Sequence, residues 1–173
     1  MADYFADNNP LKNKLGISDP RLLHEAEETI VVNKTTNLFI ETPPKDFDLN
    51  YLKHIHKVLF EDIYDFAGHI RTVDITKSDS AVPFAHAEYI ESEARHIFSE
   101  LKNKNYLNNL DQDSFIHTIA DLSAVLNALH PFREGNGRTI RLFLILLADH
   151  AGYLLNYGQV SSEELIGADK NGF

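Results

Sequence analysis

The chain has no cysteine among its 173 residues, which removes disulfides, thiolate zinc sites and cysteine nucleophiles together. Positive charge is scarce: 16 Lys and Arg stand against 26 Asp and Glu, a formal net charge of −10. That balance argues against a general binder of nucleic acid or anionic membrane, although a local basic cluster can still hold one phosphate chain. No apolar run approaches the roughly 20 residues that a membrane helix requires. Met1-Ala2-Asp3-Tyr4-Phe5 lacks the basic and apolar regions of a signal peptide. A cytoplasmic protein is expected; delivery into another cell by a dedicated secretion machine would leave no mark of these kinds. What remains is an ordinary profile, 43% hydrophobic and 24% charged, long enough for one domain with a substantial core.

The apolar pattern is mainly helical, with no internal repeat and no second domain. Residues 1–19 form a polar arm containing the turn signal Asn8-Asn9-Pro10. Asp19-Pro20 reads as an N-cap with proline at the first helical position, opening a helix through about Val32, with Leu22, Leu23, Ala26 and Ile30 on its apolar stripe. Residues 33–46, ending near Pro43-Pro44, read as a loop. Asp48 caps a second helix with Leu49, Leu52, Ile55, Val58 and Leu59 on its buried side, running to a glycine stop at Gly68. His54 and His56 lie two apart and off a common face, so no metal site is expected there. From Arg71 the period changes to two: Val73 and Ile75 alternate with Thr72, Asp74 and Thr76, and a β-hairpin over residues 71–85 is expected. Helices should follow over 86–102 and 114–129, with His86 and His96 as ordinary polar-face residues. Residues 142–148 are seven consecutive apolar positions; flanking cap signals favour helix, and such a helix must be the buried centre. Gly152 should end it, and a capping box from Ser161 to Glu164 starts a final helix.

The chemistry concentrates in residues 130–141, which read H-P-F-R-E-G-N-G-R-T-I-R. Pro131 disfavours helix at the residue before it, so the preceding helix should stop near His130. Gly135-Asn136-Gly137 permits a tight turn, and Asn136 is a plausible N-cap for the next helix. Glycine-rich backbone entering a helix N-terminus offers unpaired N–H groups to an anion. Arg138 and Arg141 share a helix face and can both reach a phosphate chain. Glu134 is a hard oxygen ligand suited to Mg²⁺, and His130 can accept a proton at neutral pH. Phe132 should plug the core below the loop. Base, metal ligand, anion nest and arginine clamp together suggest phosphoryl-type transfer. The spacing fits equally well a plain Gly-Asn-Gly corner with incidental polar residues.

The same twelve residues resemble the signature of the Fic (Fic/Doc) family, H-P-F-x-D/E-G-N-G-R-x-x-R, with every fixed position filled. Tyr64-Asp65-Phe66-Ala67-Gly68 with Arg71 resembles the family's Y-x-F/W-A-G-x-x-R stretch, and Asn13-Lys14-Leu15-Gly16-Ile17 resembles a segment near the start of many Fic domains. The resemblance implies a mainly α, Fic-type helical bundle around a buried central helix pair, with a short β-hairpin flap, all in one domain over residues 1–173. Fic domains usually continue for another helix, so the expected fold is short at its C-terminal end. The implied activity is protein AMPylation, the transfer of AMP from ATP to a Ser, Thr or Tyr hydroxyl of a target protein. His130 would be the base, Glu134 the Mg²⁺ ligand, and Gly135, Asn136 (its side chain included), Gly137, Arg138 and Arg141 the phosphate site. The flap implies target contacts at Lys77 and Phe84. Doc-like transfer of the γ-phosphate is an alternative, although that branch carries lysine where this chain has Gly137; another nucleotide or a phosphocholine donor also stays open. A different class of role is a toxin-like partner module held inactive in a complex. The family's inhibitory S/T-x-x-x-E-G/N pattern is absent from these residues, since the only Glu followed by Gly or Asn is Glu134. A separate antitoxin carrying that helix is the favoured expectation; a motif beyond Phe173 or an uninhibited enzyme are the alternatives.

Overall fold

In the computed structural model, which describes residues 11–75 and 84–157, the elements follow the capping signals. Five α-helices stand among the described residues: α1 (Pro20–Ile40), α2 (Leu49–Phe60), α3 (Ile90–Asn103), α4 (Gln112–Leu129) and α5 (Asn136–His150). Asp19 caps α1 by accepting from the N–H groups of Arg21 and Leu22, at 2.8 and 3.3 Å. Asp48 caps α2 through Tyr51, and Asp111 caps α4 through Ser114. The capping box from Ser161 lies outside the described residues.

Two helix ends differ from expectation. α1 runs to Ile40 rather than Val32, through the segment expected as a loop. Val31 and Leu38, seven apart, stay buried against the bundle, and the Thr35 hydroxyl folds back onto the Val31 carbonyl at 2.8 Å. Tertiary packing there outweighs the weak helix propensity of Thr35 and Thr36. α2 ends at Phe60, not Gly68, and the chain continues in turns, with Ile63 and Tyr64 both donating to the Phe60 carbonyl.

Most of the expected hairpin over residues 71–85 falls outside the described residues. No strand forms among the described residues, and residues 76–83 lie outside them. At its described ends, four backbone groups bond to other segments or to the Arg71 side chain. The Arg71 N–H donates to the Pro131 carbonyl and the Ala85 N–H to the Ala128 carbonyl, while the Val73 and Ala85 carbonyls accept from the Arg71 guanidinium. Asp74 accepts from the Ala87 N–H and contacts the exposed His86 ring at 2.7 Å, fixing the entry to a 3₁₀ turn at Ala87–Tyr89 that leads into α3.

α5 is the centre, as its apolar run implied. Phe143, Leu144, Leu147 and Ala148 are fully buried, with α2 and α4 packed against the helix and α3 bridging those two. The Phe143 ring meets Phe47 and Phe98 edge-on, each at 5.8 Å between centroids. Each such burial stabilises by roughly 1.5–3 kcal/mol. α1 covers the outer side of α2.

The α4–α5 corner depends on one close approach. Gly135 is the N-cap of α5 at φ +78, and a Cβ built on it would lie 2.4 Å from two carbons of the Phe60 ring. Phe60 is fully buried and cannot retreat. Gly152, after α5, has a similar φ of +84 with nothing within 4 Å of a Cβ. Gly135→Ala is therefore expected to lower unfolding free energy by roughly 2–4 kcal/mol, strain and overpacking together. Gly152→Ala should lose only the strain, about 1 kcal/mol. Urea titration of both variants checks the pair, and equal losses would contradict the contact with Phe60.

Candidate active site

α4 stops where Pro131 dictates. His130 is its C-cap in the left-handed region, φ 45 and ψ 62, and is 8% exposed. Its ring Nδ1 lies 3.2 Å from the Asn127 carbonyl oxygen. A carbonyl only accepts, so Nδ1 carries the proton and a neutral ring holds its lone pair on Nε2. Phe84 stacks on the imidazole at 3.7 Å between centroids. Expected as a target contact, Phe84 is therefore also a wall of the base. Lys77, its expected companion, lies outside the described residues.

Asn136 does not play the part the spacing suggested. Gly135 is the cap, and Asn136 is the first residue of α5, 2% exposed. Its Oδ1 accepts from the Phe132 N–H at 2.8 Å and its Nδ2 donates to the Phe132 carbonyl at 2.7 Å. The amide oxygen and one Nδ2–H close the loop, and the second Nδ2–H is not used in it. Phe132 is fully buried, plugging the core as expected. Asn136 also offers its backbone N–H, which with those of Gly137 and Arg138 opens α5 without a carbonyl one turn earlier in the helix.

The charged residues are not equally available. Glu134 Oε1 accepts from the Gly135 N–H at 2.9 Å and lies 3.4 Å from Arg138 Nη2, while Oε2 has no partner among the described residues. Burial pushes the Glu134 carboxyl up, opposed by the Gly135 N–H and Arg138 and assisted by the nearby Glu27. One hard oxygen beside a helix N-terminus fits a Mg²⁺ ion that takes its other ligands from phosphate and water. No group of three acidic or histidine side chains converges among the described residues, so the protein would supply this single ligand. Arg138 is tied to Glu27 at 2.7 Å and lies over the Phe60 ring. Arg141, one turn on, makes no ion pair among the described residues, and a Cβ on Gly137 would sit 3.2 Å from its guanidinium.

Two residues that spacing did not single out complete the site. His56, on α2, is fully buried; its Nδ1 accepts from the Gly68 N–H at 2.8 Å, which forces Nε2 to donate to the Glu134 carbonyl at 2.9 Å. Its ring stacks on Phe132 at 3.9 Å. Glu27, 5% exposed on α1, joins Arg138 to the Tyr64 hydroxyl. Both were findable: His56 is one turn from Leu52 and from Phe60, and Glu27 is one turn from Leu23 and from Val31, polar residues in apolar stripes.

The His56 geometry carries a pH dependence. Burial lowers its pKa from 6.5 to about 4. A proton on Nδ1 would face the Gly68 N–H, so the folded state resists protonation while the unfolded chain accepts it. The contribution is fully present above pH 6.5 and is lost as pH falls towards 4, to a total of roughly 3 kcal/mol. Wild type should lose about that much more stability than His56→Gln between pH 7 and pH 4 in urea titrations. Parallel curves would show that His56 is not held neutral.

The comparisons with known proteins agree with this geometry. The Fic/DOC family model matches residues 46–148, which include α2, the loop and nearly all of α5. Protein adenylyltransferase VbhT of Bartonella schoenbuchensis is 39% identical over 95% of this chain, which spans only 36% of that protein. The probable protein adenylyltransferase Fic of Escherichia coli K12 is 35% identical over 94% of this chain and 79% of its own length. Among solved structures, BepC of Bartonella tribocorum with bound AMPPNP superposes at a TM-score of 0.87, with 32% identity over 99% of this chain and 90% of that one. Fold, loop and sequence agree, and the chain belongs to the Fic/DOC family.

Proposed function

We propose that this chain transfers AMP from ATP to a hydroxyl on a target protein. The observation that carries the reading is the fixed His130 ring, with Nδ1–H on the Asn127 carbonyl and Nε2 as the basic atom, at the rim of an anion-binding helix start. The target hydroxyl attacks the α-phosphorus of ATP, its proton passes to His130 Nε2, and the bond to the pyrophosphate oxygen breaks. The N–H groups at the start of α5 face the charge that develops on phosphate oxygens. Arg141 takes the charge of the departing pyrophosphate, and Arg138 adds its field from the edge not tied to Glu27. Glu134 Oε2 would hold the Mg²⁺, whose contribution is charge neutralisation on the phosphates. Positioning and electrostatics of this kind supply most of phosphoryl-transfer catalysis.

Support comes from two further sides. The VbhT and Escherichia coli relatives bear the name protein adenylyltransferase, and BepC was solved with the ATP analogue AMPPNP. Gly137 favours AMP over γ-phosphate transfer, because the Doc branch that transfers the γ-phosphate carries lysine at this position. The reading extends to a Ser, Thr or Tyr acceptor and to restraint by a separate antitoxin helix bearing S/T-x-x-x-E-G/N.

Incubation with α-³²P-ATP or γ-³²P-ATP, Mg²⁺ and cell lysate tests the core of it. Protein label should come from the α-position alone, and His130→Ala should reduce it by about 10²–10⁴-fold while leaving AMPPNP binding within about two-fold. Label from the γ-position alone would replace AMP transfer with phosphotransfer. Undiminished labelling by His130→Ala would remove His130 as the base.

A further inference from the structure

Glu27 stands on α1, far along the chain from the loop, yet its side chain ends beside the loop's cation. A carboxylate so buried is strongly unfavourable unless both oxygens are engaged, and here they are. Oε2 accepts from Arg138 Nη2 at 2.7 Å and Oε1 accepts from the Tyr64 hydroxyl, whose own pKa is raised by burial first and by this hydrogen bond second. The same Arg138 nitrogen lies 3.4 Å from Glu134 Oε1, clearly the longer of its two carboxylate contacts. The guanidinium carbon sits 4.8 Å from the Phe60 centroid, and Nη1 is buried with no hydrogen-bond partner among the described residues. Arg138 is thus gripped by one edge, with its other terminal nitrogen left over.

The competing arrangement is close at hand. Glu134 and Arg138 are four apart, a spacing that forms ion pairs readily, and only the Glu27 contact draws the guanidinium the other way. Without Glu27, Arg138 would close on Glu134 and neutralise the carboxylate that is fit for metal. We propose that Glu27 is a positioning residue for nucleotide binding. It pins Arg138 towards α1, so that the Arg138 contact with the metal-binding carboxylate stays the longer and weaker of its two. Glu27 touches neither nucleotide nor reacting atoms in this account, and the inference rests on the AMP-transfer reading with Glu134 as the Mg²⁺ ligand.

The test is equilibrium binding of AMPPNP to the full chain by calorimetry across a range of Mg²⁺ concentrations, with unfolding temperature measured in parallel. Wild type should bind more tightly as Mg²⁺ rises. Glu27→Gln keeps the size and the acceptor for Tyr64 but loses the charge that draws Arg138. It should need about five-fold more Mg²⁺ for half-maximal tightening, with no loss of affinity in the absence of metal. A packing role alone would lower the unfolding temperature and leave the Mg²⁺ dependence where it is, and that result overturns the proposal. Should Glu27→Gln not fold, Tyr64→Phe loosens the same carboxylate from its other side and should shift the Mg²⁺ requirement upward by about two-fold. An unchanged requirement in that variant also overturns it. If wild-type affinity does not respond to Mg²⁺ at all, the failure lies with Glu134 as metal ligand, and the proposal falls with it.

Discussion

Arg71 reaches into the end of α4 and ties together segments that are distant in sequence. Its Nε donates to the His130 carbonyl at 2.8 Å and its Nη1 to the Val73 carbonyl at 2.9 Å. Nη2 donates to the Ala85 carbonyl and, at 3.4 Å, to that of Leu129. The residue is 5% exposed, and its nearest carboxylate oxygen, on Asp74, is 3.9 Å away. Burial lowers its pKa, but arginine starts so high that the charge is kept. A full positive charge is therefore neutralised by carbonyl dipoles, two of them at the negative end of the α4 dipole. A left-handed residue before a proline has few local reasons to keep one orientation. His130 keeps its orientation because its carbonyl is bound to a cation that cannot move.

The remaining supports repeat this logic with different chemistry. Asn136 closes the loop on Phe132, His56 holds the Glu134 carbonyl from α2, and Glu27 holds Arg138 from α1. Several groups of the candidate site are thus held by buried residues of other elements. Rotamers fixed this way give the geometric precision that positioning catalysis demands. The cost falls on the supporting residues: a buried neutral histidine, a buried carboxylate and a glycine pressed on Phe60 are each intolerant of change.

How much of this was legible in the sequence depended on whether the signal was local. Asp19, Asp48 and the Pro131 stop act on backbone within a few residues, and the structure has them where capping rules put them. The apolar run of α5 likewise declared its own burial. Signals failed where a distant contact decided. α1 overran the segment expected as a loop because Val31 and Leu38 pack on the bundle. Asn136 matched an N-cap, but Gly135 could adopt φ +78 one residue earlier, which freed the amide for Phe132. Within the site, residues 130–141 announced the chemistry, while His56 and Glu27 showed only as polar residues on apolar faces. Their partners lie 78 residues away in one case and on the α5 start in the other, beyond any spacing rule.

The charges of the site also explain how an acidic protein of net charge −10 can present an anion pocket. What matters is how much of each group the protein itself consumes. Glu27 is wholly spent, one oxygen on Arg138 and one on Tyr64. Glu134 is half spent, with one oxygen unpaired among the described residues. Arg138 is spent along one edge, whereas Arg141 has no carboxylate partner among the described residues. The gradient of consumption runs from Glu27 at the base of the pocket to Arg141 one turn into α5, and it leaves the positive end of that helix uncancelled. Net surface charge sets which polymers approach the protein; this internal pairing sets which end of a small anion the loop holds.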